Sequence, residues 1–126
     1  MRAIALLTLA LFIATNGVSR AAETSATFFV RIHPERANFI KSMTPAEDQA
    51  MARHFEYWKA RMAEHKLILA GPVPIDPGTF GILIVRAADM QEAERLVQGD
   101  PSVQAHVTDY EIYPLQLALY EGKLGT

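Results

Sequence analysis

The histidines are where this sequence could carry proton-transfer chemistry, because imidazole is the side chain that changes its charge near neutral pH. There are four of them: His33, His54, His65 and His106. A neutral ring can act as a general base, and histidines at helical spacing can bind a metal. His33, His65 and His106 fall on different predicted elements, with no pair four residues apart. A zinc or iron site is therefore not expected, and no metal is assigned.

The composition excludes several other classes of protein. Without cysteine there are no disulfides, thiolate metal sites, cysteine nucleophiles or cysteine-linked lipids. The formal net charge is −2, and the 12 Lys and Arg residues are scattered singly. Nucleic acid and acidic membrane surfaces need clustered basic residues, so neither is an expected partner.

The N-terminus has the three parts of a secretory signal peptide. Arg2 precedes the apolar run Ala3–Ala14, which is shorter than the roughly 20 residues of a membrane span. Ser19 and Ala21 supply the small residues that signal peptidase prefers. We therefore expect residues 1–21 to be a signal peptide and residues 22–126 to form one domain, periplasmic or secreted. Loss of Arg2 and Arg20 leaves 10 basic against 14 acidic residues, a net charge of −4.

Two capping patterns predict two helices. Thr44, Pro45 and Glu47 form a capping box with proline at the first helical position, and this helix runs to about His65. Asp89 opens a second helix that stops at Gly99. The first helix has a predicted buried face at helical spacing, made of Met51, Phe55, Trp58 and Met62 with Ala50 and His54 on its flank.

Four segments have the composition of strands, at about residues 27–33, 67–71, 81–86 and 108–113. Gly71-Pro72 ends the second, before a loop over residues 72–79, and Pro114 ends the fourth. The third is apolar on both faces and is expected to be central. The order of elements predicts an α+β, ferredoxin-like βαββαβ fold, an antiparallel sheet with both helices on one face.

Such a sheet leaves its other face uncovered. Phe29 and Arg31 lie on that face, since side chains alternate along a strand. A second copy laid sheet against sheet would cover it, so we expect a homodimer. Arg31 then has two interpretations: it binds a substrate carboxylate, or it forms an intersubunit salt bridge. The tail Leu115–Thr126 has apolar residues that could pack on a neighbour.

A set of short motifs resembles the YciI-like (YCII-related) family over roughly Ala26 to Leu115. In order, they are His54, His65-Lys66-Leu-Ile-Leu-Ala-Gly71-Pro72, Gly81-Ile-Leu-Ile-Val, Ala93, Asp100-Pro101 and Glu111-Ile-Tyr-Pro114. The resemblance implies a dimeric α+β barrel. It also implies an active site made by a histidine of the first helix and the aspartate of the Asp-Pro step, which here are His54 and Asp100. Proton transfer by an imidazole beside a carboxylate needs no cofactor, so none is expected.

Each residue of this implied site also has a purely structural interpretation. His54 would be the general base and Asp100 would fix its tautomer, but His54 could be a hydrogen-bonded helix residue and Asp100 a helix cap. Gly71 and Pro72 either let a ligand approach the backbone or end a strand. His106 stands where the family commonly has glycine, and either narrows the pocket or adds a second imidazole.

Two hypotheses about function follow. The first is an exported, cofactor-independent enzyme of the lyase or isomerase kind, in which His54 moves a proton on a small organic molecule. The second is a non-catalytic periplasmic module for ligand binding or interaction. A polar pocket that joins His54 to Asp100 favours the enzyme, and an apolar, closed core around His54 favours the module.

Overall fold

The computed structural model describes residues 25–122. The elements are β1 (Ala26–Pro34), a 3-10 turn (Phe39–Lys41), α1 (Pro45–Ala63), β2 (Leu67–Val73), β3 (Phe80–Ala87), α2 (Met90–Gln98), α3 (Pro101–Gln104) and β4 (Thr108–Leu115). The predicted signal peptide lies outside the described residues. None of the helices within residues 25–122 is long and apolar enough to cross a membrane.

The four strands form one antiparallel sheet in the order β2-β3-β1-β4. The long helices α1 and α2 pack on the same face, α1 over β2 and α2 over β3 and β4. This confirms the predicted α+β ferredoxin-like fold. It also confirms that the third strand is central, since β3 lies between β2 and β1.

Both long helices begin where the sequence predicted. The Thr44 hydroxyl accepts from the Glu47 backbone N–H at 3.2 Å, and the Glu47 carboxylate accepts from the Thr44 N–H at 2.8 Å. Asp89 caps α2 by accepting from the Glu92 N–H at 2.7 Å. These bonds satisfy backbone donors that the first helical turn leaves free.

Two strands continue past the prolines that were expected to end them. β2 extends through Pro72 to Val73, and β4 extends through Pro114 to Leu115. Both strands lie at the edges of the sheet. A proline lacks only the N–H, so it fits an edge strand where that group has no partner strand to face. The sequence could show the prolines but not which strands would be at the edges.

The core lies between the helices and the covered face of the sheet. Phe28, Val30 and Val85 meet Trp58 there, together with the buried residues of α2. The buried face of α1 differs from the predicted one, because Phe55 is 65% exposed and Met62 is 46% exposed. Ala50 and Trp58 are the buried residues of α1. Of the predicted stripe, Trp58 is buried and Met51 is half-buried, whereas the predictions for Phe55 and Met62 are wrong.

Two helices end on a histidine in the left-handed backbone region. His65 has φ 60 and His106 has φ 54. After α1, the Lys66 N–H donates to the Arg61 carbonyl and the His65 N–H to the Met62 carbonyl. After α3, Val107 and His106 make the same two bonds with Ser102 and Val103. This is the Schellman pattern, in which glycine normally takes the left-handed position.

The face of the sheet opposite the helices is uncovered in the described chain and mostly apolar. Pairing in register places Phe29 beside Ile84 and Tyr113. Leu69 and Tyr113 are 43% and 53% exposed. A polar cluster interrupts this face, where Arg31 lies 3.3 Å from Glu111 and its guanidinium stands over the Phe80 ring.

Candidate functional site

The short connection between α2 and α3 places Asp100 against α1. Asp100 is the N-cap of α3, and Pro101 takes the first helical position. Because α3 packs on α1, the Asp100 carboxylate meets the His54 ring, with 2.6 Å between Asp100 Oδ2 and His54 Nδ1. A carboxylate only accepts, so Nδ1 carries the proton in this bond. The neutral ring then keeps its lone pair on Nε2.

The Asp100 carboxylate is fully buried and saturated with donors. Trp58 Nε1–H donates to Oδ2 at 2.7 Å, and both the backbone N–H and the hydroxyl of Ser102 donate to Oδ1 at 2.9 Å. Burial alone raises the pKa of the Asp100 carboxyl. The hydrogen bond and charge of His54, with the donors Trp58 and Ser102, outweigh it and hold that pKa below its usual value. Asp100 is therefore an ionised group fixed in place.

A hydroxyl pair extends this network to the sheet. Ser102 Oγ lies 2.7 Å from Thr108 Oγ1 and 3.3 Å from His54 Nδ1. Ser102 and Thr108 are 0% and 4% exposed. Sequence reasoning missed both, as well as the hydrogen bond of Trp58, which it placed in the core. Trp58 does follow His54 by four residues, the spacing that puts two side chains on one helical face.

The His54 ring lines a cavity of about 340 Å³ between α1 and the sheet. Its side chain is 18% exposed, and no hydrogen bond from residues 25–122 reaches Nε2. The ring thus has one nitrogen held by a buried carboxylate and the other free to meet a ligand. The hydrogen bond between His54 and Asp100 is the one that the enzyme hypothesis requires. The cavity is open, as that hypothesis expects, but its wall is mostly apolar, as the module hypothesis expects.

The predicted ligand-contacting residues Gly71 and Pro72 line the same cavity as His54. A Cβ added to Gly71 would meet no atom within 4 Å. Gly81 also lines the cavity, and a Cβ there would lie only 2.8 Å from Ile32 Cγ2. Gly81 was not predicted as a site residue, and its missing side chain makes room for Ile32, which also lines the cavity.

Two predicted site residues lie elsewhere. The His106 side chain is 86% exposed and reaches toward Glu35 at 3.8 Å, so it neither narrows the cavity nor adds a second imidazole to it. Its backbone is left-handed, a conformation that glycine adopts most easily. Arg31 does not line this cavity but an adjoining opening of about 610 Å³, which shares lining residues such as His33 and Thr79 with it. There it pairs with Glu111 of its own chain rather than standing free for a substrate.

No group of three or more His, Cys, Asp or Glu side chains within the described part of the chain could hold a metal ion. What the site offers is therefore one imidazole, one buried carboxylate and a cavity. That set can remove a proton from a bound molecule and return it.

A family model, described as the YCII-related domain, matches residues 27–116. The match covers all the helices and strands described above except the first residue of β1. The chain belongs to the YCII-related family. Among proteins with curated descriptions, none is measurably similar to this YCII-related chain.

Solved structures share the fold of this YCII-related chain at low sequence identity. One is the 5-chloro-2-hydroxyhydroquinone dehydrochlorinase TftG from Burkholderia phenoliruptrix, in complex with 2,5-dihydroxybenzoquinone. It is 20% identical with a TM-score of 0.53, over 71% of this chain and 93% of that chain.

Two more distant structures have lower TM-scores. The cofactor-independent oxygenase SnoaB from Streptomyces nogalater is 15% identical with a TM-score of 0.41, over 77% of this chain and 98% of that chain. NE2512 from Nitrosomonas europaea, a protein of unknown function, is 13% identical with a TM-score of 0.41, over 81% of this chain and 100% of that chain. These likenesses concern the fold.

Proposed function

We propose that this protein is a cofactor-independent enzyme of the lyase or isomerase kind, in which His54 is the general base acting on a small organic molecule. The observation that carries this proposal is the 2.6 Å bond from His54 Nδ1 to the buried Asp100, on a ring that lines an accessible cavity. In the first step, the Nε2 lone pair takes a proton from the substrate. The electron pair of the broken bond stays on the substrate.

Asp100 acts through His54 and not on the substrate, because it is completely buried. Its carboxylate holds the ring in the Nδ1–H tautomer and stabilises the imidazolium that forms when Nε2 is protonated. The proton can then return to a second atom of the substrate, or a leaving group can depart. The hydroxylated quinone held by the dehydrochlorinase of the same fold supports a small cyclic molecule as the substrate.

The general base can be tested with a probe before the substrate is identified. 5-Nitrobenzisoxazole is a neutral carbon acid; when a base removes its ring proton, the N–O bond breaks and a coloured cyanophenolate forms. We expect the protein to accelerate this reaction above free imidazole at equal concentration. His54→Asn is expected to lower the rate by about 100-fold, within the usual contribution of a general base.

The matched control is His106→Asn, another histidine-to-amide change outside the cavity. Asparagine adopts the left-handed backbone of residue 106, so this variant should fold and keep the full rate. Equal rates for the wild type and His54→Asn, or no acceleration over imidazole, would show that His54 is not a general base.

We further propose that the enzyme is exported and acts as a homodimer. Arg2, the apolar run Ala3–Ala14 and the small residues Ser19 and Ala21 support export, and the uncovered apolar sheet face supports the dimer. Expressed with its own N-terminus in a Gram-negative host, the protein should be recovered from the periplasm beginning at Ala22. Mass spectrometry that finds Met1 or Arg2 on the cytoplasmic protein would contradict export.

A further inference from the structure

The cavity beside His54 contains no side chain with a permanent charge. Of its lining residues within the described chain, none is Lys, Arg, Asp or Glu. The polar side chains on its wall are His33, His54, Thr79 and Thr108. Thr108 is already bonded to Ser102, and His33 is 3.5 Å from Glu111. A ligand with a carboxylate or phosphate would therefore lose water without gaining a cationic partner here.

The remaining wall is mostly apolar, and the fold leaves two of its large side chains exposed. Phe55 of α1 is 65% exposed and Ile40 of the 3-10 turn is 57% exposed, and both line the cavity. Met51 lies one helical turn before Phe55 and lines it as well. Ile32 and Leu83 form its floor on the sheet. An apolar molecule seated here would cover surface that water now contacts, which favours its binding.

The size of the cavity limits the molecule that fits. A cavity of about 150 Å³ is sufficient for benzene, and this one has about 340 Å³. It therefore has room for a substituted single ring or for two fused rings, and the volume is within the range of small-molecule sites.

From these three observations we infer that the substrate is an uncharged ring compound of one or two rings, carried between Phe55 and the sheet, and that anionic analogues are rejected. The acidic proton that His54 removes is then the main polar feature of the ligand. The identification of this ligand as the substrate rests on the proposed function. Phe55 is a specificity-determining residue in this arrangement, because it supplies aromatic surface at the rim.

Binding can be measured with two molecules of the same ring frame and different charge. 2-Naphthol keeps its hydroxyl proton at pH 8, as a phenol with a pKa near 10 does, whereas 2-naphthoate is an anion. In isothermal titration calorimetry at pH 8, we expect 2-naphthol to bind at least tenfold more tightly than 2-naphthoate. Equal or tighter binding of 2-naphthoate, or no measurable binding of 2-naphthol, would overturn the inference.

Two variants of α1 test where the ring sits. Phe55→Ala removes a rim residue that is already exposed, so folding should be unaffected while the Kd for 2-naphthol rises at least fivefold. Met62→Ala, an exposed apolar residue on the same helix outside the cavity, should leave the Kd unchanged. Equal effects of the two variants would place binding elsewhere. A Phe55→Ala variant that changes the sedimentation coefficient and not the Kd would assign the rim to a subunit contact.

The outcome is separable from that of the proposed function, since 2-naphthol binding requires no proton transfer. His54→Asn should retain at least a third of the affinity for 2-naphthol while losing activity on 5-nitrobenzisoxazole. Binding without any such activity would overturn the general base and leave the ligand class standing. Activity on 5-nitrobenzisoxazole without discrimination between the two naphthalene compounds would overturn the ligand class and leave the general base standing.

Discussion

At the scale of single residues, the two oxygens of Asp100 perform two different functions. Oδ1 caps α3 through the Ser102 N–H, and Oδ2 binds the His54 ring. Asp100 is therefore the helix cap of the structural interpretation, and it also makes the contact with His54 that the functional interpretation requires. The residue types alone favoured the interpretation of Asp100 as a cap, because an Asp-Pro step commonly starts a helix. The pairing of Asp100 with His54 was predicted from the family resemblance.

We expect Asp100→Asn to lower the free energy of unfolding at pH 7 by about 3 kcal/mol, because it leaves an amide among buried donors. In the wild type, the contribution of Asp100 to the free energy of unfolding should depend on pH. The folded-state pKa of Asp100 is lowered, so its contribution is complete above the ordinary aspartate pKa of about 3.9. It is then lost as the pH falls from there through the lower folded value.

Urea unfolding followed by circular dichroism between pH 7 and pH 2.5 measures this dependence. The difference between wild type and Asp100→Asn should shrink as the pH falls below about 4. Asp48→Asn, on the exposed start of α1, is the matched control and should differ little from wild type at every pH. A constant difference between wild type and Asp100→Asn across this range would contradict an ionised Asp100 in the folded protein.

At the scale of elements, local hydrogen bonding decides where the helices begin and end. Thr44 and Asp89 have side-chain acceptors, so their caps could be read from the sequence. The end of α1 near His65 was predicted too, but the left-handed backbone of His65 and His106 was not, because histidine is found in that region far less often than glycine. These two histidines were weighed as metal ligands, but both terminate helices.

His106→Gly is expected to raise the free energy of unfolding by about 0.5 to 1 kcal/mol, since glycine adopts φ 54 without steric cost. His106→Val should lower it by more than about 1 kcal/mol, because a β-branched side chain is an outlier there. Denaturant unfolding at pH 7 measures both changes.

The neighbouring residue supplies the control for the glycine substitution. Ala105 caps the same helix with φ −84, a conformation that alanine adopts without strain. Glycine at this position would only increase the conformational entropy of the unfolded chain. Ala105→Gly should therefore lower the free energy of unfolding. If His106→Gly lost as much stability as Ala105→Gly, the left-handed backbone at residue 106 would have no steric cost for histidine.

The order and type of the elements could be predicted because caps and hydrophobic periodicity are local signals. The ends of β2 and β4 could not, since Pro72 and Pro114 are tolerated only in strands that lie at the sheet edge. The exposure of Phe55 could not be predicted either. Helical periodicity identifies an apolar face, but it does not show whether protein or an open cavity lies against that face.

At the scale of the whole molecule, helices pack on one face of the sheet. No helix within residues 25–122 packs on the other face. The uncovered face brings Phe29, Ile82, Ile84 and Leu69 together through the strand register. Adjoining apolar residues with exposed members such as Leu69 and Tyr113 are typical of an interface. Arg31 and Glu111 are already paired within one chain, so the polar cluster can enter such an interface without an isolated charge.

Sedimentation of the mature protein at micromolar concentration should give twice the mass of one chain. Leu69→Glu introduces a charge on the uncovered face beside Ile84 and is expected to shift the protein to monomer, because an unpaired carboxylate is costly to bury. Met62→Glu, on the exposed side of α1, should leave the mass unchanged. A well-folded wild-type monomer at this concentration would contradict the dimer.

The chain carries a single tryptophan, and the fold has put it in contact with the site. Trp58 is 3% exposed and bonded to the same carboxylate oxygen that holds His54. The Tyr57 ring stands edge-on 5.2 Å away, close enough to pass excitation energy to the indole. Trp58 is thus a built-in optical reporter. A change of charge at Asp100 or His54 alters the field at the emitting group, so the emission of the unlabelled protein follows the state of the site.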